Sequence, residues 1–163
     1  MNLTMAALKS VIKGVMTKER YETSSFSYYP STATNITGDN TAWTALYNQK
    51  TFNIGNDYDG ISTYTAPVTG RYLFTAMISM IGVTTAHPDG RIEIITSLGD
   101  AMKIFAAGKI FESNTIIRPH ISEIMHMDAG DTAYIRLTVY SGGKHIDIQN
   151  TKLSGTFSGS LLK

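Results

Sequence analysis

The longest apolar segment of the chain runs from Tyr64 to Gly82 and reads YTAPVTGRYLFTAMISMIG. It begins with a predicted turn at Ala66 to Gly70, because Pro67 has a fixed φ and no amide proton and therefore suits the start of a strand. A strand that is apolar on both faces either lies centrally in a two-layer sandwich or buries its outer face in an oligomer, and the sequence leaves both open. The predicted strand has Tyr72, Phe74, Ala76, Ile78 and Met80 on one face and Leu73, Met77 and Ile81 on the other.

From Tyr21 onward, short alternating segments are separated by turn sequences rich in Gly, Asn and Asp, which is typical of an all-β domain. The segment at 133–140 has the clearest alternation, with one aliphatic face and one face of aromatic and charged residues. The number and spacing of such segments predict a sandwich or a jelly roll. The aliphatic face of 133–140 consists of Ala133, Ile135, Leu137 and Val139, and the other face of Tyr134, Arg136, Thr138 and Tyr140.

The last segment, at 152–162, is predicted to close the core. Phe157 and Leu161 fall on one side of it together with Gly155 and Gly159. A glycine inside a strand often marks a place where another group approaches the backbone closely. We therefore expect a neighbouring aromatic side chain or backbone segment to pack against these glycines.

Residues 1–22 contain the one segment with helical periodicity, in which Leu8, Val11, Ile12 and Val15 share a face. An isolated helix of this length is marginal, so we predict an arm or anchor that docks on a partner surface. The alternative is a frayed leader or a fusion remnant. Lysines interrupt the apolar core that a secretory signal needs, so we expect synthesis in the cytoplasm without a signal peptide. This divides the chain into an N-terminal arm at 1–22 and a β-domain at 23–163.

Composition disfavours several classes of function. The chain has 163 residues, which suits one domain, and its charged residues make up only 17% with a formal net charge of +1. We therefore expect no nucleic-acid partner, since such partners require strong basic charge. The lack of cysteine excludes disulfides, thiolate catalysis and cysteine-ligated zinc. No apolar run approaches the roughly 20 residues of a membrane-spanning helix, so we expect no membrane insertion.

Enzymatic function finds little support in the motifs. The four histidines, His87, His120, His126 and His145, lack the i, i+4 spacing of a helical zinc site. No G-x-S-x-G sequence marks a nucleophile, and the fragments AAGK and SGGK lack the other residues of a phosphate-binding loop. We predict a protein that is not an enzyme and has no cofactor.

One oxygen-rich turn is a candidate calcium site. Asp57 and Asp59 lie beside Gly60, and carboxylate oxygens are the ligands that Ca²⁺ prefers. The turn lacks the distal glutamate of an EF-hand loop, and a solvated turn without metal is the alternative.

Four segments together resemble the C1q-like globular domain of the C1q and tumour-necrosis-factor superfamily. They are YNQKTFNIGNDYD at 47–59, YTAPVTGRYLFTA at 64–76, GDTAYIRLTVYSGGKHIDIQ at 130–149 and TFSGSLL at 156–162. The most specific part is an aromatic residue followed, after five residues, by G-x-Y-x-F, which Tyr64, Gly70, Tyr72 and Phe74 match. Tyr64 replaces the usual Phe, and Ala76 stands where the family prefers an aromatic residue. The chain thus resembles a divergent member.

This resemblance implies a ten-stranded jelly roll that assembles as a homotrimer. Tyr134, Arg136 and Tyr140 are predicted to form the subunit interface, because aromatic residues and arginine are enriched at interfaces; the alternative is that they face water or a covering loop. The chain looks most similar to C1q-like heads of bacteriophage proteins. We therefore expect a virion surface protein whose arm contacts other virion proteins, with a tail-fibre or baseplate-fibre head for host attachment as the first hypothesis. The alternatives are a capsid decoration trimer and a free C1q-like lectin or ligand.

Surface loops are expected to carry the specificity of such a head, because loops can vary while the sandwich cannot. Tyr58, His87 and Lys144 are the predicted contacts with a host glycan or protein. Aromatic and hydrogen-bonding side chains suit sugar recognition, although inert loops carry them as well.

Overall fold

The computed structural model describes residues 24–106, 116–149 and 155–162, and this part of the chain contains twelve β-strands and no helix. The predicted anchor residues Leu8, Val11, Ile12 and Val15 lie outside the described residues. The strands are β1 (Ser25–Tyr29), β2 (Trp43–Thr44), β3 (Gln49–Ile54), β4 (Tyr64–Thr65), β5 (Gly70–Ile78), β6 (Met80–Ile81), β7 (Asp89–Thr96), β8 (Asp100–Ala106), β9 (His120–Met127), β10 (Thr132–Val139), β11 (Asp147–Ile148) and β12 (Gly155–Leu161).

Ten of these strands form two antiparallel sheets, which confirms the predicted all-β jelly-roll sandwich. Sheet one has the order β3, β1, β12, β5, β9. Sheet two has the order β2, β10, β7, β8, and β4 also pairs with β10. The first strand therefore pairs with the last, so the two ends of the domain are joined within one sheet.

The long apolar segment is not one strand, because its partners change at Ser79. Up to Ile78 the chain pairs with β12 and β9 in sheet one. Beyond Ser79, Met80 exchanges backbone hydrogen bonds with Ile117, and β6 pairs with β11 in a separate two-stranded ribbon. The residues still alternate as predicted up to Ile78, with the even-numbered side chains buried.

The core lies between the two sheets and has an aromatic half and an aliphatic half. Phe26 is the centre of the aromatic half, with its ring centroid 4.7 Å from that of Tyr58, 5.0 Å from Tyr64 and 4.9 Å from Phe157. Sheet two supplies the aliphatic half through inward-facing residues of β7 and β10, and the alternation in β10 is the one that the sequence predicted for 133–140. Its fully buried members include Ile92, Ile94, Ala133, Ile135, Leu137 and Val139.

Gly159 on β12 lies directly beneath two rings of this core. A Cβ atom at this position would lie 2.5 Å from Cε1 of Phe26 and 2.7 Å from Cδ1 of Phe74. The predicted close approach of an aromatic side chain to a β12 glycine is therefore confirmed. The glycine lets β1 and β5, which flank β12, bring their aromatic residues together.

Candidate functional site

The outward surface of sheet one combines small hydroxyl side chains with large exposed apolar ones, and we call it the open face. On this face, β3, β5 and β9 carry exposed apolar residues. The strands β1 and β12, which lie between β3 and β5, carry serines. Strand register arranges the residues in two rows across the sheet: Phe52, Ser27, Ser158, Thr75 and Ser122 in one, and Ile54, Ser25, Ser160, Leu73 and Ile124 in the other.

The apolar members of the open face are unusually exposed for their size. Solvent reaches 41% of Phe52, 50% of Ile54, 37% of Leu73 and 55% of Ile124. Between Phe52 and Leu73 the small serines leave a shallow groove of about 340 Å³. Several large apolar side chains exposed on one surface often mark an interaction site.

The hydroxyl groups of the open face largely bond to each other. Ser158 Oγ donates to Ser27 Oγ over 3.2 Å, and Thr75 Oγ1 lies 3.1 Å from Ser122 Oγ. Because these hydroxyls already have partners, covering them would cost less than covering unpaired polar groups. The open face can therefore pack against another protein surface.

A second opening, which we call the sandwich mouth, lies between the edge strands β8 and β9. It is a cavity of about 300 Å³ with an apolar lining of Phe105, Ile116, Ile117 and Pro119. Three basic side chains, Lys103, Arg118 and His120, complete the lining. Lys103 has the parity of the inward-facing residues of β8, and an inward charge on an edge strand discourages unwanted strand pairing.

The outward surface of sheet two carries charged side chains that form salt bridges with one another. Glu93 has a side chain that is only 4% exposed, and Arg136 binds it through two hydrogen bonds of 2.9 and 3.0 Å. Arg91 approaches the same carboxylate at 3.1 Å and stacks over the ring of Tyr140, whose centroid lies 5.8 Å from the Arg91 guanidinium carbon. The Glu93 carboxylate raises the pKa of Arg136. Two arginines of the same chain therefore compensate the charge of Glu93.

The structure places the predicted interface residues Tyr134, Arg136 and Tyr140 on this charged surface, where each is half-buried. The single chain does not test whether they contact another subunit, so their role stays a prediction. The larger exposed apolar surface lies on the opposite sheet.

Two of the three predicted ligand contacts are buried, and that prediction is corrected here. Tyr58 is 3% exposed, its ring packs on Phe26, and its hydroxyl donates to Tyr47 O over 3.0 Å. Burial raises the pKa of the Tyr58 phenol. His87 is 1% exposed, with Nδ1 bonded to Thr84 in its own loop and Nε2 bonded to Gly143 in another loop. Neither side chain can meet a ligand from the surface. Lys144 is exposed, and its contact with a ligand stays a prediction.

The carboxylates of the predicted calcium ligands Asp57 and Asp59 each accept hydrogen bonds from other groups of the chain. Asp59 Oδ1 accepts backbone N–H groups of Ile61, Ser62 and Thr63 over 2.7 to 3.0 Å, which closes the turn. Asp57 Oδ2 accepts a hydrogen bond from Ser24 Oγ over 2.8 Å. Within the described residues, no group of three or more His, Cys, Asp or Glu side chains is arranged to hold a metal ion. Calcium binding at this turn stays a prediction.

The remaining histidines are spread over the surface. His120 and His126 lie at opposite ends of β9, and His145 lies in the loop that precedes β11. In the part of the chain that the structure describes, no helix has the length and apolar character needed to cross a membrane.

Comparison with solved structures identifies the fold. The globular domain of zebrafish complement 1qA superposes with a TM-score of 0.60 at 16% identity, covering 86% of this chain and 98% of that one. Murine APRIL matches with a TM-score of 0.60 at 11% identity, covering 86% and 100%, and Eiger TNF from S. frugiperda with 0.60 at 9%, covering 87% and 94%. The chain has a C1q/TNF-like jelly-roll fold. No family model and no curated protein matches the sequence.

Proposed function

We propose that this protein is a non-enzymatic, homotrimeric binding or structural module whose subunits contact one another through the open face. The observation that carries the proposal is the exposure of four large apolar side chains on one surface: Phe52, Ile54, Leu73 and Ile124. In a subunit that acted alone, such a surface would favour aggregation. A second copy of the same chain is the partner always present at matching concentration.

A three-fold ring requires a heterologous contact, in which two different patches of each subunit meet. The sandwich mouth supplies a second patch, because its apolar lining includes Ile116, which is 39% exposed. The edge of one subunit would thus lie on the open face of the next. The aliphatic stems of Lys103 and Arg118 can pack in such a contact while their charged ends reach water at its rim.

Light scattering coupled to size exclusion tests the trimer directly. We expect a mass of three times the 17.8 kDa subunit at micromolar protein. A mass near that of one subunit would reject the proposal.

A pair of aspartate variants then locates the interface. Leu73→Asp places a carboxylate on the open face, where burial without a partner costs several kcal/mol, so we expect dissociation into monomers. Tyr134→Asp makes a comparable change on the outward surface of sheet two and should leave the trimer intact. The opposite result would assign the interface to Tyr134, Arg136 and Tyr140 instead.

The specific role that we propose for the trimer is the head of a phage tail or baseplate fibre that binds a host glycan or protein. Sequence resemblance supports this role, and the exposed Lys144 loop is the surface that would carry specificity. The second candidate is a capsid decoration trimer, and the third is a free lectin or ligand. Immunogold labelling of the particle distinguishes them: label on the tail supports attachment, label over the shell supports decoration, and no label supports the free form.

A further inference from the structure

The histidine of the HPDG sequence, His87, is buried, and both of its ring nitrogens have hydrogen-bond partners. It lies in the segment between β6 and β7, and its Nδ1 accepts a hydrogen bond from the backbone N–H of Thr84 over 3.0 Å. Its Nε2 lies 3.1 Å from the carbonyl oxygen of Gly143. Because an amide can only donate and a carbonyl can only accept, the ring is neutral and carries its proton on Nε2.

This ring joins three loops that are far apart in the sequence. The Gly143 carbonyl belongs to the loop 141–145, and Gly142 N donates to Gly38 O over 2.8 Å. A Cβ atom on Gly142 would lie only 2.3 Å from His87 Nε2, so the ring lies directly against the Gly142 backbone. Together these contacts form what we call the His87 latch: the His87 ring with Thr84, Gly38, Gly142 and Gly143.

The loop that the latch holds has an unfavourable backbone conformation. Ser141 has a φ of 68°, in the left-handed region that residues other than glycine rarely adopt. Such a conformation persists only where surrounding contacts enforce it. The His87 latch is one of those contacts, so losing it favours rearrangement of 141–145.

Charged groups on the packed elements do not compensate a charge on His87. No ion pair of the described residues includes His87. Asp39 next to Gly38 is exposed and accepts the N–H of Thr41, and Asp89, two residues beyond His87, is exposed at the start of β7. The loop 141–145 contributes only further basic groups, Lys144 and His145.

We propose that the His87 latch is an acid-sensitive switch that holds the loop 141–145 at neutral pH and releases it when His87 is protonated. Protonation would put a hydrogen on Nδ1, where the Thr84 N–H already points at the ring. The Thr84 hydroxyl, 3.1 Å from Nδ1, could accept that proton, but the opposing N–H would remain. A buried charge without a carboxylate partner is costly, and moving the loop exposes the ring to water.

Release would change the exposed surface that carries Lys144 and His145. A partner that binds this loop would therefore meet a different surface in acid than at neutral pH. The switch depends only on contacts within one chain, so it is independent of the trimer and of any role on a virion.

Hydrogen–deuterium exchange tests the switch on the full-length protein near pH 7.5 and near pH 5, after correction for intrinsic exchange rates. The reporters are the amides of Gly142 and Ile146, which donate to Gly38 O and Thr37 O. We expect their protection to fall about tenfold or more in acid, while the amides of β10 keep theirs. Equal protection of the loop at both pH values would overturn the proposal.

Two variants test whether His87 or His145 causes the pH response. His87→Gln cannot be protonated, so its loop should exchange equally at both pH values, whether it is closed or already open. His145→Gln removes the other histidine of the region and should respond like the wild type. A pH response that persists in His87→Gln, or disappears in His145→Gln, would refute the latch.

NMR of the imidazole nitrogens tests the switch in the wild-type protein. The nitrogen chemical shifts of His87 should report the Nε2–H form near pH 7.5 and the doubly protonated form over the pH range in which the loop opens. A ring that becomes charged without loss of loop protection would contradict the proposal, as would a loop that opens while the ring stays neutral.

Discussion

Gly159→Ala should strongly destabilise the domain, because the added methyl group has no room. The new Cβ would lie 2.5 Å from Phe26 Cε1 and 2.7 Å from Phe74 Cδ1, whereas carbon atoms pack at about 3.5 to 4.0 Å. At least one of the two rings must therefore move by roughly 1 Å. Both rings are fully buried and touch other aromatic residues, so a shift of either one propagates through the core.

The backbone offers little relief. β12 is hydrogen-bonded on both sides, with Gly159 opposite Phe26 on β1 and opposite Phe74 on β5. Overpacking of a well-filled core costs about 1 to 3 kcal/mol, and we expect about 3 kcal/mol here because neither ring nor backbone can yield. For a domain of this size that loss lowers Tm by roughly 6 to 12 °C.

Urea denaturation followed by circular dichroism, at one fixed protein concentration, measures the loss. Gly99→Ala is the matched control, because a Cβ atom there meets nothing within 4 Å and the backbone is not in the left-handed region. We expect the control to remain within about 0.5 kcal/mol of the wild type. If Gly159→Ala is equally harmless, the aromatic core is not packed as described.

Two further predictions concern buried polar groups. Burial raises the pKa of the phenols of Tyr47, Tyr58 and Tyr64, so the folded state resists their ionisation while the unfolded state ionises near pH 10. These groups should not affect the free energy of unfolding below pH 10. Above pH 10 it should fall by about 1.4 kcal/mol per tyrosine and pH unit. Urea denaturation at pH 8 and pH 11 should therefore show a smaller loss for Tyr58→Phe than for the wild type. Arg136→Met leaves Glu93 with Arg91 alone and should lower the free energy of unfolding by about 2 kcal/mol. Adding Glu93→Gln to this variant should restore part of the loss. If it restores nothing, the role of Arg136 is not to offset the charge of Glu93.

The sequence predicted what depends on local alternation. Every second residue of β10 is buried because the pleat of a strand turns successive side chains to opposite faces, and the same rule placed the even-numbered residues of β5 in the core. The close packing at Gly159 was also predictable, since a glycine on the apolar side of a strand needs a reason to be there.

Burial of Tyr58 and His87 could not be predicted in this way, because it depends on contacts between distant segments. Both residues sit in turn sequences, NDYDG and HPDG, whose neighbours are polar. Tyr58 is buried by the rings of Tyr28 and Phe26, which come from another strand, and His87 by a carbonyl 56 residues further along the chain. A polar loop sequence therefore indicates the turn but not the depth of each side chain in it.

The sequence left two explanations for a strand that is apolar on both faces: packing within the sandwich and burial in an oligomer. Packing of the sandwich accounts for Tyr72, Phe74 and Ala76, which face sheet two and are fully buried within one chain. It does not account for Leu73, which stands on the open face with 37% of its surface exposed. The surface of sheet two shows that an outward face of this fold can be satisfied by its own charges, as Glu93 is by Arg136. The open face has apolar side chains where sheet two has paired charges, so burial against a second copy is the arrangement that would stabilise it.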